Sequence, residues 1–316
     1  MKTRQSPLPS GYGARTTARE VLGDRRLDGV MAVVTGGYAG VGLETTKALA
    51  AAGARVIVPA RSLDKARASL AGIDRVEIDS LDLADPASVD AFAARVLASD
   101  RPVHLLINNA GIMATPFARD ARGFESQLAT NHLGHFQLTL RLWPALRRAK
   151  GARVVALSSR GHARAGVDFE DPHFERRPYD KWIAYGQAKT ANILFAVALD
   201  ARGQADRVRA FAVHPGAVLT ELSRSVPEEE IRGLRAALTP GTVKTTEEGA
   251  ATSVWCATSP ALDGMGGVYC EDVDIAVAVP ADFAEPRGVR PWATNPELAE
   301  RLWTLSEGWT GVRFLG

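Results

Sequence analysis

The chain has 316 residues, 46% hydrophobic and 23% charged, enough apolar content to bury a full core. Its 38 Lys and Arg against 36 Asp and Glu leave a formal charge of +2, without the basic excess that nucleic acid or an anionic membrane surface demands, so small molecules are the expected partners. No apolar run approaches the ~20 residues of a membrane helix, the start MKTRQSPLPSGYGARTT lacks the apolar centre of a signal peptide, and Cys256 and Cys270 have neither metal-ligand nor disulfide-framework spacing; a soluble cytoplasmic protein is expected.

Residues 1–27 read as an N-terminal arm, flexible over 1–15 where Pro7, Pro9, Gly11 and Gly13 fall, with a short helix in TTAREVL (16–22). From residue 28 short β-branched runs alternate with helical patterns: VMAVVTG (30–36), ARVIVPA (54–60), VEIDSLDL (76–83), VHLLIN (103–108), ARVVALS (152–158), VRAFAVH (208–214) and GGVYC (266–270). Seven strands interleaved with helices predict one α/β domain over 28–280, a doubly wound parallel sheet with helices on both faces. Helix punctuation agrees: Asp85-Pro86 is an N-cap with proline at the first position, Thr245 and Glu248 make a capping box, and Gly53 closes the first helix. Residues 281–316 form a tail whose helix begins at Asn295-Pro296.

The first strand runs into TGGYAGVG (35–42) and then a helix. Gly36 permits the tight turn, Gly40 lets backbone approach a pyrophosphate, and Gly42 lets the helix lie close to the sheet, with Tyr38, Ala39 and Val41 between them. Amides at the helix N-terminus then face phosphate. Three glycines in a small-residue stretch can also be no more than a tight turn. At the end of the second strand, where an acidic residue would hold a ribose 2′-hydroxyl, stand Ala60 and Arg61, so NADP(H) is preferred over NAD(H); a solvated loop arginine is the alternative. Further on, AYGQAKTANILF (184–195) sets Tyr185 and Lys189 four apart, on one helix face.

In order, Thr35 to Gly42, Asn108 to Gly111, Ser159, and Tyr185 to Lys189 resemble the TGxxxGxG, NNAG, Ser and YxxxK signatures of the short-chain dehydrogenase/reductase family. NHLGHFQLT (131–139), AKTANILFA (188–196) and VHPGAVLTEL (213–222) look most like its retinol dehydrogenase and WW-domain oxidoreductase branch. The resemblance covers residues 28–280 and implies a single Rossmann-type domain with strand order 3-2-1-4-5-6-7.

What it implies for the site is Asn131, Ser159, Tyr185 and Lys189 as the catalytic set. Tyr185 would be the acid in carbonyl reduction and the base in alcohol oxidation, with the Lys189 ammonium lowering a phenol pKa of about 10 and also holding the nicotinamide ribose. Ser159 would bond the developing oxyanion, with Ser158 its competitor. Asn131 would support a water relay to Lys189, or be an ordinary helix amide bonded to a neighbouring carbonyl. Cofactor contacts are expected at Gly36, Tyr38, Ala39, Gly40, Val41, Gly42, Arg61, Asp82, Leu83, Asn109, Ala110, Gly111, Tyr185, Lys189, Pro215, Gly216, Val218 and Thr220; Asp82 is alternatively a loop or helix-capping carboxylate.

His132 and His135, three apart without acidic or thiol partners, read as core histidines. PEEEIRGLRAAL (227–238) reads as a solvated amphipathic helix, which the resemblance turns into part of a substrate lid over about 221–245. Trp292, Trp303 and Trp309 are expected to pack the tail. The function expected is an NADP(H)-preferring oxidoreductase interconverting a hydrophobic alcohol with its carbonyl, as a homodimer or homotetramer. Two rivals are a non-enzymatic NADP-binding regulator or scaffold and a short-chain epimerase or dehydratase.

Overall fold

The computed structural model describes residues 3–236 and 242–316; Met1 and Lys2 of the arm and residues 237–241 of the expected lid lie outside these. In chain order come α1 (Ala18–Leu22), β1 (Met31–Val34), α2 (Gly40–Ala51), β2 (Arg55–Ala60), α3 (Leu63–Leu70), β3 (Val76–Ser80), α4 (Pro86–Ala98) and β4 (Leu105–Asn108). There follow α5 (Ser126–Leu128), a π-helical turn (Ala129–Leu133), α6 (Gly134–Arg141), α7 (Trp143–Arg148), β5 (Arg153–Leu157), α8 (Lys181–Gly203) and β6 (Arg209–His214). The last part holds β7 (Ala217–Val218), α9 (Glu228–Ala236), β8 (Val243–Lys244), α10 (Thr246–Thr258), β9 (Val268–Glu271), β10 (Asp274–Ile275) and α11 (Pro296–Thr310).

The central sheet runs β10-β9-β6-β5-β4-β1-β2-β3, so the expected parallel order holds from β3 through β9. The strand count does not. An eighth strand, β10, pairs antiparallel with β9, turning through Asp272 and Val273, both at positive φ (50° and 64°). Two-residue hairpins of this hand normally carry Asn-Gly or Asp-Gly, and a β-branched residue there costs about 1–2 kcal/mol. Val273 is held in it by full burial and by its N–H donating to Thr252 Oγ1 at 3.1 Å. Without the turn signal, and only two residues long, β10 has no sequence signature.

Each face of the sheet carries its own apolar layer. One gathers Phe92 and Val96 of α4, Phe136 and Leu138 of α6, Ile193 to Leu199 of α8, and Leu302 and Trp303 of α11. The other gathers Val21 of α1, Leu49 of α2, Leu70 of α3 and Val254 and Trp255 of α10. Helix α8 has almost no polar face because it lies beneath α11, where Trp303 stacks on Phe195 at 6.1 Å. The caps anticipated at Asp85, Thr245 and Asn295 each accept from the first-turn amides of their helices.

The N-terminal arm departs from the flexible segment expected of its glycines and prolines. The Gln5 side-chain amide pairs with the Tyr269 peptide (Nε2 to O 2.8 Å; N to Oε1 2.9 Å) and donates to Ala276 O at 2.6 Å. The Leu8 and Ser10 amides donate to the Asp274 carboxylate. Composition marks a chain without its own core; it does not register an exposed sheet end that can hold it.

Candidate active site

Strands β1 and β4 are neighbours whose crossovers leave in opposite directions, and ligand crevices open at that point beyond the strand ends. Thr35 organises the crevice from just past β1. Its hydroxyl accepts from the Asn109 and Ala110 amides (2.9 and 3.0 Å) and meets His135 Nε2 at 2.9 Å. Asn109 Nδ2 returns the tie by donating to Thr35 O at 2.8 Å, so this side chain braces the turn and leaves its backbone for a ligand.

A methyl group on Gly42 would sit 2.3 Å from Asn109 Nδ2 and 2.4 Å from Gly36 O, and one on Gly40, at φ +51°, would press Thr220 Cγ2 at 3.1 Å. Helix α2 is N-capped by Ala39 without any side-chain hydrogen bond, leaving its first-turn amides for an anion. A cradle closed to any Cβ at Gly42 and lined by free amides fits a dinucleotide pyrophosphate. Tyr38 packs half-buried beside it, and Val41 and Val218 crowd Gly249 of α10 from both sides. At the end of β2 Ala60 is buried and Arg61 is exposed, with no partner among the described residues. Asp82 Oδ1 accepts from Ala84 N at 2.9 Å, the loop-bracing role foreseen as its alternative, while the Leu83 carbonyl lies so close to Gly134 that a Cβ there would be 2.3 Å away.

The end of β5 separates the two serines. Ser158 Oγ donates to Lys189 O at 2.7 Å and is buried in that bond. Ser159 caps a single 3-10 turn (Arg160–Ala163), accepting from Gly161 N at 3.0 Å, and its hydroxyl hydrogen-bonds the Tyr185 phenol. Tyr185 can approach because position 161 is glycine: a Cβ there would meet the ring carbons at 3.0 Å. Gly186 serves likewise, since its Cβ would lie 2.8 Å from Gly161 O. Both glycines escaped the sequence reading; SSRGH and YGQ carry them next to motif residues, but no local rule says that the two segments touch.

Lys189 Nζ donates to Leu157 O at 3.0 Å and lies 5.6 Å from the Tyr185 ring centre; a Cβ on Gly111 would stand 3.6 Å from it and 3.0 Å from Asn131 Oδ1. Asn131 sits in the π-helical turn and grips the Ile112 peptide from both ends, accepting from its N–H (2.8 Å) and donating to its carbonyl (2.9 Å). The electrostatics correct one expectation. Burial pushes the Tyr185 phenol up to about 12, and what opposes that is the Ser159 hydrogen bond rather than the Lys189 charge. Burial also pushes Lys189 down to about 8, so the ammonium is kept at neutral pH without a carboxylate beside it.

Past β6, Pro215 and Gly216 turn into β7, which pairs with β8, and Gly216 at φ +90° lies where a Cβ would strike the Lys244 stem at 2.5 Å. Buried Lys244 is held by Asp272 at 2.6 Å. Thr220 caps the next turn through Leu222 N. Helix α9 of the expected lid is fastened to the start of α8 by Glu230, which accepts from Lys181 Nζ at 2.5 Å and from the Trp182 indole. Trp182 in turn meets Tyr185 edge to face at 6.5 Å. The histidine pair is structural: His132 Nε2 bonds Ser306 Oγ (2.7 Å) and His135 bridges Thr35 and the Asn131 carbonyl.

Open helix amides beyond β1, and a tyrosine, serine and lysine at the end of β5, are the parts that a nicotinamide-dependent oxidoreductase requires. Residues 30–231 match the family model described as short chain dehydrogenase, and the chain belongs to the short-chain dehydrogenase/reductase family. It is an NAD(P)-dependent dehydrogenase/reductase acting on small molecules. A protein named Probable oxidoreductase from Streptomyces lividans is 48% identical over 89% of this chain and 99% of its own. Retinol dehydrogenase 12 from Homo sapiens is 38% identical over 92% and 89%. Among solved structures, an uncharacterized protein from Mycobacterium Paratuberculosis is 33% identical with a TM-score of 0.74, covering 93% of this chain and 98% of that one. RhlG of Pseudomonas aeruginosa, solved with NADP, shares the fold at 23% identity, TM-score 0.65, over 78% and 96%. No described helix is long and apolar enough to cross a membrane.

Proposed function

We propose that this enzyme is an NADP(H)-preferring ketoreductase or alcohol dehydrogenase for hydrophobic carbonyl and alcohol substrates, with Tyr185 as the acid/base. The observation that carries the reading is the Tyr185 phenol, buried, bonded to Ser159 and one helical turn from Lys189. The phenol can give its proton to a carbonyl oxygen in reduction and take it back from the alcohol in oxidation. The Ser159 hydroxyl, bonded to Gly161 N and beside the phenol, would turn its proton to that oxygen when substrate is bound. Bound NADPH supplies the hydride. The first-turn amides of α2, Arg61, the Asn109 to Gly111 backbone, Lys189 and the Pro215 to Thr220 loop would hold it, and Asn131 would keep the Ile112 segment in register beside Lys189.

The preference for NADP(H) rests on Ala60 and the unpaired, exposed Arg61 at the end of β2, where a 2′-phosphate would sit. Apolar substrates are supported by the aromatic edge of Trp182 near Tyr185, by exposed Phe117 and Leu219, and by the retinol dehydrogenase name of relatives. Two buried free thiols suit a reducing cytoplasm, and a homodimer or homotetramer is the assembly we expect. The domain organisation follows: an arm over 1–27, the catalytic domain over 28–280 with a lid about 221–245, and a tail over 281–316.

The test is NADPH or NADH oxidation against a panel of hydrophobic aldehydes and ketones. Catalytic efficiency higher with NADPH, and an advantage that shrinks about tenfold in Arg61→Ser, is the expected result; a clear NADH preference would sink the cofactor assignment. Net consumption of NADPH excludes an epimerase or dehydratase, which returns its nucleotide unchanged, and absence of turnover with tight NADPH binding would favour the non-enzymatic regulator.

A further inference from the structure

The C-terminal tail lies beyond the matched family region, which ends at residue 231, yet it reaches the turn that carries Ser159. His162 makes the connection. Its ring is buried among non-acidic neighbours and pushed down to about 4, so it is neutral. Nε2 accepts from the Arg290 amide at 3.3 Å, which leaves the proton on Nδ1. Nδ1–H therefore donates to the Ser159 carbonyl at 2.8 Å, where the His162 backbone N–H already donates at 3.1 Å. The His162 carbonyl accepts from the Trp292 indole (3.1 Å) and Thr190 Oγ1 (3.3 Å), and the ring lies 4.9 Å from Tyr269. Arg290 is itself anchored, its guanidinium donating to Phe283 O at 2.5 Å.

We propose that His162 is a positioning residue for Ser159, and that the tail segment from Phe283 to Trp292 fixes the tautomer and placement through which it acts. The inference rests on the reading of Ser159 as the hydroxyl that bonds the substrate oxygen. Ser159 is extended (φ −163°, ψ 158°) and leaves the sheet through a turn held at its carbonyl by His162. With that grip lost, the hydroxyl can drift from Tyr185 while strand β5 and the cofactor cradle stay in place.

The tautomer is read without substrate, by long-range 1H–15N spectra of histidine-labelled protein. A neutral ring protonated at Nδ1, whose signals vanish in His162→Asn, is expected; protonation at Nε2 overturns the proposal. In NADPH-dependent reduction of nonanal or all-trans-retinal, His162→Leu should lower kcat about 10- to 100-fold, the cost of a misplaced group, with KM for NADPH within about twofold. His162→Asn, whose side-chain N–H can replace Nδ1–H, should recover most of it. In a Ser159→Ala background His162→Leu should cost nothing further, because its effect passes through that hydroxyl. Equal losses in both backgrounds, or no rescue by asparagine, overturn the proposal. If Ser159→Ala is harmful and His162→Leu harmless, this inference alone fails; a harmless Ser159→Ala defeats the reading of Ser159 itself.

Discussion

The glycine turn after β1 and helix α9 of the proposed lid are built by opposite means. The turn is held by several short bonds between side chain and backbone: the Thr35 hydroxyl accepts from the Asn109 and Ala110 amides, Asn109 Nδ2 donates to Thr35 O, and Gly42 sits where no Cβ fits. Among the described residues, helix α9 is attached at its first turn by the Glu230 side chain, reaching Lys181 and Trp182 at the partly exposed start of α8. Several short bonds among buried and half-buried groups leave one arrangement. A single charged side chain at a wet surface can let go at little cost. The glycine turn is therefore the more rigid of the two, which under the proposed function leaves the substrate side freer to adapt than the cofactor side.

The largest effect should fall between the two regions. Tyr185→Phe is expected to lower kcat by about 10²- to 10⁴-fold while NADPH binding, followed by its fluorescence, is kept. Undiminished turnover would refute the proton-transfer role. Gly42→Ala attacks the rigid side: a methyl 2.3 Å from Asn109 Nδ2 should destabilise by about 1–3 kcal/mol and weaken NADPH binding, read as a lower urea midpoint and a raised Kd. A variant of wild-type stability and affinity would mean the turn is as pliable as the lid. pH probes the contact between the regions. Lys189 loses its charge as pH rises through about 8, so catalytic efficiency of reduction should be level below that value and fall above it; a profile flat to pH 10 would remove Lys189 from the mechanism. Smallest of all, Glu230→Gln should raise KM for the carbonyl substrate a few-fold with kcat and NADPH affinity unchanged. A large loss of stability there would show that the lid is structural.

Much of this was legible beforehand for a local reason. The caps at Asp85, Thr245 and Asn295, the glycine turn, and the Tyr185 and Lys189 pair each depend on residues within a few positions of one another, while the strand order followed from the family resemblance. Ser159 against Ser158 was open until the structure gave Ser158 to the Lys189 carbonyl. Arm, eighth strand and electrostatics went otherwise than expected, and each depends on distant residues. Gln5 finds Tyr269, and Val273 endures positive φ because it is buried against Thr252. The Tyr185 phenol is governed by burial and by Ser159, whereas spacing to Lys189 had suggested a different control.

The amino-acid sequence by itself determined the family and the doubly wound sheet, and it marked the glycine turn and the Tyr185 and Lys189 pair, because motifs, periodicity, caps and glycine turns are short-range physics. Only the tertiary structure decided how those side chains are poised: which serine hydroxyl stands beside Tyr185, how far burial moves Tyr185 and Lys189, and that His162 ties the tail to the turn that carries Ser159. Desolvation and hydrogen bonding are properties of what surrounds a group, and the His162 that holds the Ser159 carbonyl is itself held by Arg290, 128 positions further on.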